Sequence, residues 1–341
     1  MSTIEIWEYT DKFNCISTLS AHKYGIGILI LLQDGKLASS GWDDDKIKIW
    51  DPKDNFECIN ILCGHEGSIT WLIELQDGRL ASVDYLNGNI RIWNPKEKFK
   101  CTHSLYVGCK NSIESLIELQ DGRLASFGYE DSNIRIWNNI EDFNCTHTLK
   151  GHIRLITRII VLQDGNLVSG SMDKQIRIWN PQNNFECTHT ISGHREYIMS
   201  ISQLYDGKLA SSAKDNTIRI WDPQDNFECT HVLSGHENSI TSLIQLKGGK
   251  LASASKDTTI RIWDTQDNFI CTHVLSGHSG SIFSLIELED RRLASGSGDN
   301  TIRIWNPQDN INFTNGHTED VLFLTNKRRR EKINYNLENT L

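Results

Sequence analysis

The stretch that decides the fold is Gly235 to Ser276, GHENSITSLIQLKGGKLASASKDTTIRIWDTQDNFICTHVLS, which is followed at once by another copy beginning Gly277-His278. It holds four short runs rich in β-formers: SITSLIQL (239–246), KLASAS (250–255), TIRIW (259–263) and ICTHVLS (270–276), separated by Gly, Asp and Asn. Such runs, punctuated by turn residues, predict strands and not helices. We call them a, b, c and d. Alternation places Ile260 and Ile262 on one face of strand c and Arg261 and Trp263 on the other, so both faces need cover. A unit this small cannot bury its own apolar surface, and repetition supplies the missing neighbour.

Working outward, the tryptophan that closes strand c recurs as Trp7, Trp50, Trp93, Trp137, Trp179, Trp221, Trp263 and Trp305, with spacings of 43, 43, 44, 42, 42, 42 and 42. The a–b turn is Asp-Gly at 34–35, 77–78, 121–122, 164–165 and 206–207, a strong hairpin signal. Four strands per unit, Gly-His before the first and Trp-Asp closing the third resemble the WD-repeat family of β-propellers, over residues 4 to 317. Trp-Asp is strict at 50–51, 221–222 and 263–264, whereas Asn follows Trp93, Trp137, Trp179 and Trp305, and Glu8 follows Trp7.

The resemblance implies an all-β chain, a single propeller over 1–341 built of four-stranded antiparallel blades. Strands a and b occur seven times between Gly25 and Ser297, but c and d occur eight times, because TIEIW (3–7) and CISTLS (15–20) come first. Residues 318–341 contain VLFL (321–324) and INYNL (333–337). They are expected to form a degenerate a–b hairpin that completes an eighth blade with the N-terminal pair; seven blades with loose ends is the alternative.

The 341 residues carry a net charge of -9 and 38% apolar residues. An acidic balance argues against a general nucleic-acid or anionic-membrane binder. No apolar run is long enough to cross a membrane, and MSTIEIWEYTDKF has no basic or apolar leader pattern, so a cytoplasmic or nuclear site is expected. Seven of the nine cysteines (Cys15, Cys58, Cys101, Cys145, Cys187, Cys229, Cys271) lie eight residues after a repeat tryptophan. A whole unit apart, they are too distant for disulfides and are expected as reduced thiols.

His, Ser and Asp recur in every unit and suggest hydrolysis. Several intact copies of one active site are improbable, however, and the same residues match the family's structural tetrad. The resemblance assigns tetrads to His236/Ser253/Asp257/Trp263, His278/Ser295/Asp299/Trp305, His194/Ser211/Asp215/Trp221, His152/Ser169/Asp173/Trp179 and His22/Ser39/Asp44/Trp50. Two units read as impaired. The second has Asn87 at the Asp position beside His65, Ser82 and Trp93, and the third has Cys109 at the His position beside Ser126, Asp131 and Trp137. Cys-x-His at 101–103, 145–147, 187–189, 229–231 and 271–273 places two metal-ligand types on one strand face, but a structural zinc needs four converging ligands. No catalytic residue, metal or cofactor is expected.

Family ligands commonly bind the face reached by the His and Asp ends of the tetrad. Three positions per blade point there: three and five residues after the His, and the residue before the Asp. Carried onto this chain, Leu155, Met172, Tyr197 and Met199 form an apolar patch on the fourth and fifth blades, with Glu114 and Glu130 on the third, Lys214 and Lys256 on the other side, and Phe283 on the seventh. Apolar, aromatic and Met side chains at a surface are typical anchors for partners. The expected function is a non-enzymatic scaffold binding a peptide or protein segment on that face, as a monomer within larger complexes. One alternative is the substrate receptor of a ubiquitin ligase acting through a separate adaptor. Another is a nucleic-acid-associated propeller using the basic 327–332 segment, in which Lys327, Arg328, Arg329 and Arg330 also read as a nuclear-import signal.

Overall fold

The computed structural model describes residues 2–9, 13–22, 26–41, 44–54, 56–86, 88–105, 113–128, 131–138, 144–288, 291–299, 301–305 and 312–313. Its contacts cluster in two units, Met1–Ile156 and Thr157–Leu341. The fold class is that of a β-propeller: seven four-stranded antiparallel blades and one two-stranded hairpin, β1 (Ser2–Tyr9) with β2 (Phe13–His22). The blades span residues 26–62, 69–105, 113–149, 156–192, 198–233, 240–276 and 282–313. Seven is the alternative count of the sequence reading. The eighth blade is not found among the described residues, where β1 and β2 pair only with each other. Residues 318–341, on which its closure depends, lie outside them.

The sixth blade shows why the sequence folds in this way. Strands a (Ile240–Gln245), b (Leu251–Ser255), c (Thr259–Asp264) and d (Ile270–Ser276) pair in sequence order. At the a–b turn Gly249 has φ +89°, the left-handed region that glycine enters without a steric penalty. The residue after the tryptophan caps the c–d turn: Asp264 accepts a hydrogen bond from the Gln266 amide, as Asn180 does from Gln182 and Asn94 from Lys96. Asp and Asn present the same acceptor oxygen, so the second and fourth blades, which depart from Trp-Asp, keep the cap at this turn.

Apolar side chains fill the space between successive blades. In the first unit, Ile47, Ile49, Leu72, Leu80 and Trp93 join the first and second blades, and Val83, Ile92, Leu116, Leu124 and Trp137 join the second and third. In the second unit, Ile176, Ile178, Ile201 and Trp221 join the fourth and fifth, Ile218, Ile220, Leu243 and Trp263 the fifth and sixth, and Ile260, Ile262, Leu285 and Trp305 the sixth and seventh. Trp93, Trp137, Trp221, Trp263 and Trp305 thus each serve the interface with the preceding blade. Polar ties cross the same interfaces, such as the Gln33 amide to Glu74 Oε2 at 2.7 Å and the Lys247 amide to Glu287 Oε2 at 2.7 Å.

Candidate functional site

The recurring His, Ser, Asp and Trp come together as one chain of hydrogen bonds. In the sixth blade His236 Nδ1 lies 2.6 Å from Asp257 Oδ2, His236 Nε2 lies 2.8 Å from Ser253 Oγ, and Trp263 Nε1 donates to Ser253 Oγ at 2.9 Å. The same three contacts occur in the fifth blade (His194, Asp215, Ser211, Trp221), the seventh (His278, Asp299, Ser295, Trp305) and the first (His22, Asp44, Ser39, Trp50). In the fourth, Trp179 donates to Ser169 at 2.9 Å and His152 is buried; in the third, Trp137 donates to Ser126 at 2.8 Å. The indole can only donate and the carboxylate can only accept. A neutral imidazole protonated on Nδ1 therefore satisfies every member in order.

The titration behaviour agrees with that assignment. Burial pushes the His22 and His278 imidazoles below their ordinary pKa, and their Asp partners only partly offset it. For Asp215, Asp257 and Asp299 burial acts to raise the pKa. Hydrogen bonds from His and Thr outweigh it and hold these carboxyls well below the usual carboxylate range. The threonines were not singled out from the sequence. Thr217, Thr259 and Thr301, two residues after the Asp, each donate to it at 2.6 Å. The signal was present as Asp-x-Thr in those three units. The serine that a hydrolase would need as nucleophile is fully enclosed in each described copy (Ser39, Ser169, Ser211, Ser253 and Ser295 are 0% exposed).

In the fourth blade Asp173 lies in the same turn as the acids of the fifth, sixth and seventh blades, with a different residue two places on. Asp173 is half-buried in the b–c turn, where its amide donates to Ser171 Oγ at 3.0 Å and its Oδ1 accepts the Gln175 amide at 3.0 Å. Those turn bonds match Asp257, whose amide donates to Ser255 Oγ and whose Oδ1 accepts the Thr259 amide. The difference lies two residues on, where Gln175 replaces the threonine. Its side chain has no hydroxyl, and its Oε1 accepts from Arg177 Nη2 at 3.3 Å instead. Asp173 thus keeps the turn bonds of those acids without the threonine hydroxyl that Asp215, Asp257 and Asp299 receive.

The second blade corrects the sequence reading. His65 does not lack an acid: Asp84, the last residue of strand b, places Oδ2 2.8 Å from His65 Nδ1, while Ser82 Oγ lies 2.5 Å from Nε2 and 2.8 Å from Trp93 Nε1. Asp84 stands where the sixth blade has Ser255, so the acid has moved from the b–c turn into the strand. Asn87 lies outside the described residues, as does Cys109. The turn after Asp84 is one residue longer than in the sixth blade. Its Tyr85 amide donates to Ser68 O at 2.8 Å, as Lys256 donates to Ser239 O and Lys214 to Tyr197 O. Tyr85, and not Leu86, therefore occupies the position before the Asp of the other blades.

The Cys-x-His pairs are corrected as well. A bulge falls between the two residues in each copy: Cys101 faces Trp93 whereas His103 faces Ile92, and likewise Cys187 with Trp179, His189 with Ile178. Cross-strand partners share a face, so the bulge turns Cys and His to opposite faces. Cys101, Cys187, Cys229 and Cys271 instead receive the guanidinium of the strand-c arginine at 3.6–3.8 Å. No group of three metal-ligand side chains occurs among the described residues.

At the positions expected to bind a partner, Met172, Tyr197, Met199, Phe283 and Leu155 are half-buried and Lys214 is exposed. Glu130 and the side chain of Glu114 lie outside the description. The fourth and fifth blades meet closely here. Lys174 Nζ, in the turn that carries Met172, donates to Arg195 O at 2.6 Å, and a Cβ on Gly170 would stand 2.6 Å from Ile198. This brings Met172 to the loop and strand that hold Tyr197 and Met199. Lys214 Nζ sits 5.7 Å above the Tyr197 ring.

Five residues after the His, a threonine hydroxyl ties one blade to the next. Thr241 Oγ1 reaches Ile282 O at 2.6 Å, Thr157 Oγ1 reaches Ile198 O at 2.7 Å and Thr70 Oγ1 reaches Ile113 O at 3.0 Å. Met199 has no hydroxyl. The carbonyl at the same place in the next blade, Ile240 O, receives Ser212 Oγ from strand b of the fifth blade at 3.2 Å, at the position held elsewhere by Ala254, Gly170 or Val83. The donor has changed strand and the acceptor is still served.

Compared with known families, residues 13–51, 56–94, 143–180, 185–222, 227–264 and 269–306 match the family described as WD domain, G-beta repeat. The chain belongs to this family. The matched segments of this WD-repeat protein cover more than half of it, and each of the six ends on the residue after a strand-c tryptophan. Strands a, b and c of the third blade fall between matched segments; it is the blade in which Cys109 takes the His position. No curated protein sequence matches the chain. WD-repeat propellers are typically protein-interaction scaffolds without catalytic function. No helix among the described residues is long and apolar enough to cross a membrane.

Proposed function

We propose that this WD-repeat protein is a non-enzymatic scaffold that binds a peptide or protein segment on the surface formed by Met172, Tyr197, Met199 and Lys214. The observation that carries this reading is the exchange around Met199. The inter-blade hydroxyl has been given up at that position and supplied by Ser212, so the site holds a thioether without leaving Ile240 O unbonded. A flexible, polarizable Met beside a Tyr ring stacked by a lysine gives a partner an adaptable apolar seat with a polar edge. The mechanism is preorganised binding: the blades hold the seat, and little ordering is left for the partner to induce.

Burial of every described tetrad serine supports the absence of hydrolytic chemistry. The test is affinity capture from the native cell with wild-type protein and with the Tyr197→Ala/Met172→Ala variant, each compared after matched unfolding curves. Loss of specific partners in the variant supports the seat. Identical partner sets remove it.

A further inference from the structure

The strand-c arginines carry a charge without a counter-ion. Arg91, Arg219 and Arg261 are half-buried, and the one hydrogen bond described for each runs from Nη1 to a thiol: Cys101 at 3.7 Å, Cys229 at 3.7 Å and Cys271 at 3.8 Å. Arg177 reaches Cys187 at 3.6 Å and adds one neutral oxygen, Gln175 Oε1 at 3.3 Å. The Nε atoms of all four are enclosed and have no acceptor. Arg79 and Arg123, by contrast, pair with Asp77 and Asp121. Among the described residues no carboxylate does this for the strand-c four. An enclosed cation beside a neutral thiol is a costly arrangement, and an anion at the thiol would relieve it.

The guanidiniums are held in place by contact. A Cβ would stand 3.1 Å from Arg91 Nη1 at Gly64, 3.2 Å from Arg219 Nη1 at Gly193 and 2.7 Å from Arg261 Nη1 at Gly235. Each cation therefore lies directly against the backbone of the glycine that precedes a tetrad His. The sulfur faces it from strand d, the last strand of its sheet, and donates to the carbonyl two residues on, Cys229 to His231 O at 3.4 Å and Cys271 to His273 O at 3.5 Å. The four thiols are half-buried, so solvent reaches these residues. The first blade differs. There Lys48 stands at the place of the arginine, and Cys58 is exposed. An ammonium is a point charge and cannot present the paired donors of a guanidinium.

From this we propose that Cys101, Cys187, Cys229 and Cys271 are oxidative modification sites, at which a hydroperoxide converts the thiol to a sulfinate that the neighbouring guanidinium holds. In the first step the sulfur attacks one peroxide oxygen. An S–O bond forms, the O–O bond breaks, and the thiol proton leaves with the other oxygen as water. A second peroxide adds the second oxygen to the sulfenic acid and releases a second water; the sulfinic acid then gives its proton to solvent. Sulfur is oxidised and peroxide reduced at both steps. The product carries one negative charge on two oxygens, the shape that a guanidinium grips with parallel N–H donors. The thiol thus becomes the counter-ion that the arginine lacks, across the c–d strand pair. None of these residues belongs to the seat around Met199.

The experiment is a hydrogen peroxide titration of the intact, reduced protein, with sulfinate at each cysteine quantified by peptide mass spectrometry. Wild type, Arg219→Gln and Arg219→Lys are compared. Exposure and charge rank the thiols in opposite order, which makes the wild-type pattern decisive. The expected result is sulfinate at Cys101, Cys187, Cys229 and Cys271 at about fivefold or more the level at exposed Cys58. In both variants Cys229 should fall toward the Cys58 level, because neither Gln nor Lys offers paired charged donors. Cys271, whose Arg261 is untouched, should stay at its wild-type level and so reports an intact fold. Oxidation that follows exposure, with Cys58 first, overturns the inference, and so does Cys229 oxidation unchanged in both variants. A parallel change at Cys271 also overturns it, by assigning the effect to general opening of the blades.

Discussion

Replacing Ser212 by alanine removes a single hydroxyl that one blade lends to the next. Ser212 Oγ donates to Ile240 O at 3.2 Å in a buried interface, at the start of a strand whose ladder is interrupted by a bulge at the next residue. With the hydroxyl gone, a buried carbonyl loses a donor, and Met199 cannot replace it. Leaving such a group unmade costs about 1–3 kcal/mol. Adding Met199→Thr to Ser212→Ala recreates the arrangement of the sixth blade, Thr241 with Ala254, in which Thr241 Oγ1 reaches Ile282 O at 2.6 Å. That restores the donor and gives up part of the burial of a half-exposed Met, worth roughly 1 kcal/mol. A double-mutant cycle over the two sites should therefore show a coupling of about 1 kcal/mol or more, with the double variant close to Met199→Thr alone. Urea unfolding of the four proteins, followed by tryptophan fluorescence, measures it. If Ser212→Ala unfolds at the wild-type midpoint, or Met199→Thr recovers nothing in that background, the donor exchange is refuted.

Two further outcomes are expected. Asp84→Ala should destabilise by about 3 kcal/mol because it strips His65 of its buried partner, whereas Asn87→Asp should change stability by less than about 0.5 kcal/mol because the acid is already supplied; a gain from Asn87→Asp comparable to the loss from Asp84→Ala would restore the impaired-tetrad reading. Acidification should weaken the fold in two stages. His22 and His278 have folded pKa values below the ordinary 6.5, so the unfolded chain takes up the proton first and stability is lost as pH falls through 6.5. Asp215, Asp257 and Asp299, depressed below 3.8, contribute stability that is present above that value and is lost as pH falls further. Urea midpoints at a series of pH values between 8 and 3 test both stages, and a midpoint that stays level or rises on acidification contradicts them.

Periodicity made the blades legible. The tryptophan spacing, the Asp-Gly turns and the alternation in strand c each fix a feature that local physics dictates. What the sequence hid was compensation between positions. Asp84 reads as an ordinary strand-b residue because only the three-dimensional path of the turn shows that it reaches His65. Met199 reads as a surface change because the serine that answers for it lies in another strand. Asp173 reads like the acids of the later blades because the tetrad motif takes no account of the residue two places on. The Cys-x-His pairs were misplaced because simple alternation carries no information about a bulge. The eight-blade count weighed the N-terminal hairpin against residues that the structure does not describe. Of the binding seat, residue types were visible, but the contact of Lys214 with the Tyr197 ring was not.

In most blades the buried hydrogen-bond chain and the b–c turn share a residue, so neither can change length without disturbing the other. The second blade has separated them. Asp84 holds His65 from inside the strand, and the Tyr85 amide that follows it donates to Ser68 O. That makes the following turn the natural place to graft foreign sequence. A recognition tag inserted there would lengthen the turn beyond Asp84, at the slowly growing entropic cost of loop closure. The same insertion in the sixth blade would pull Asp257 away from His236.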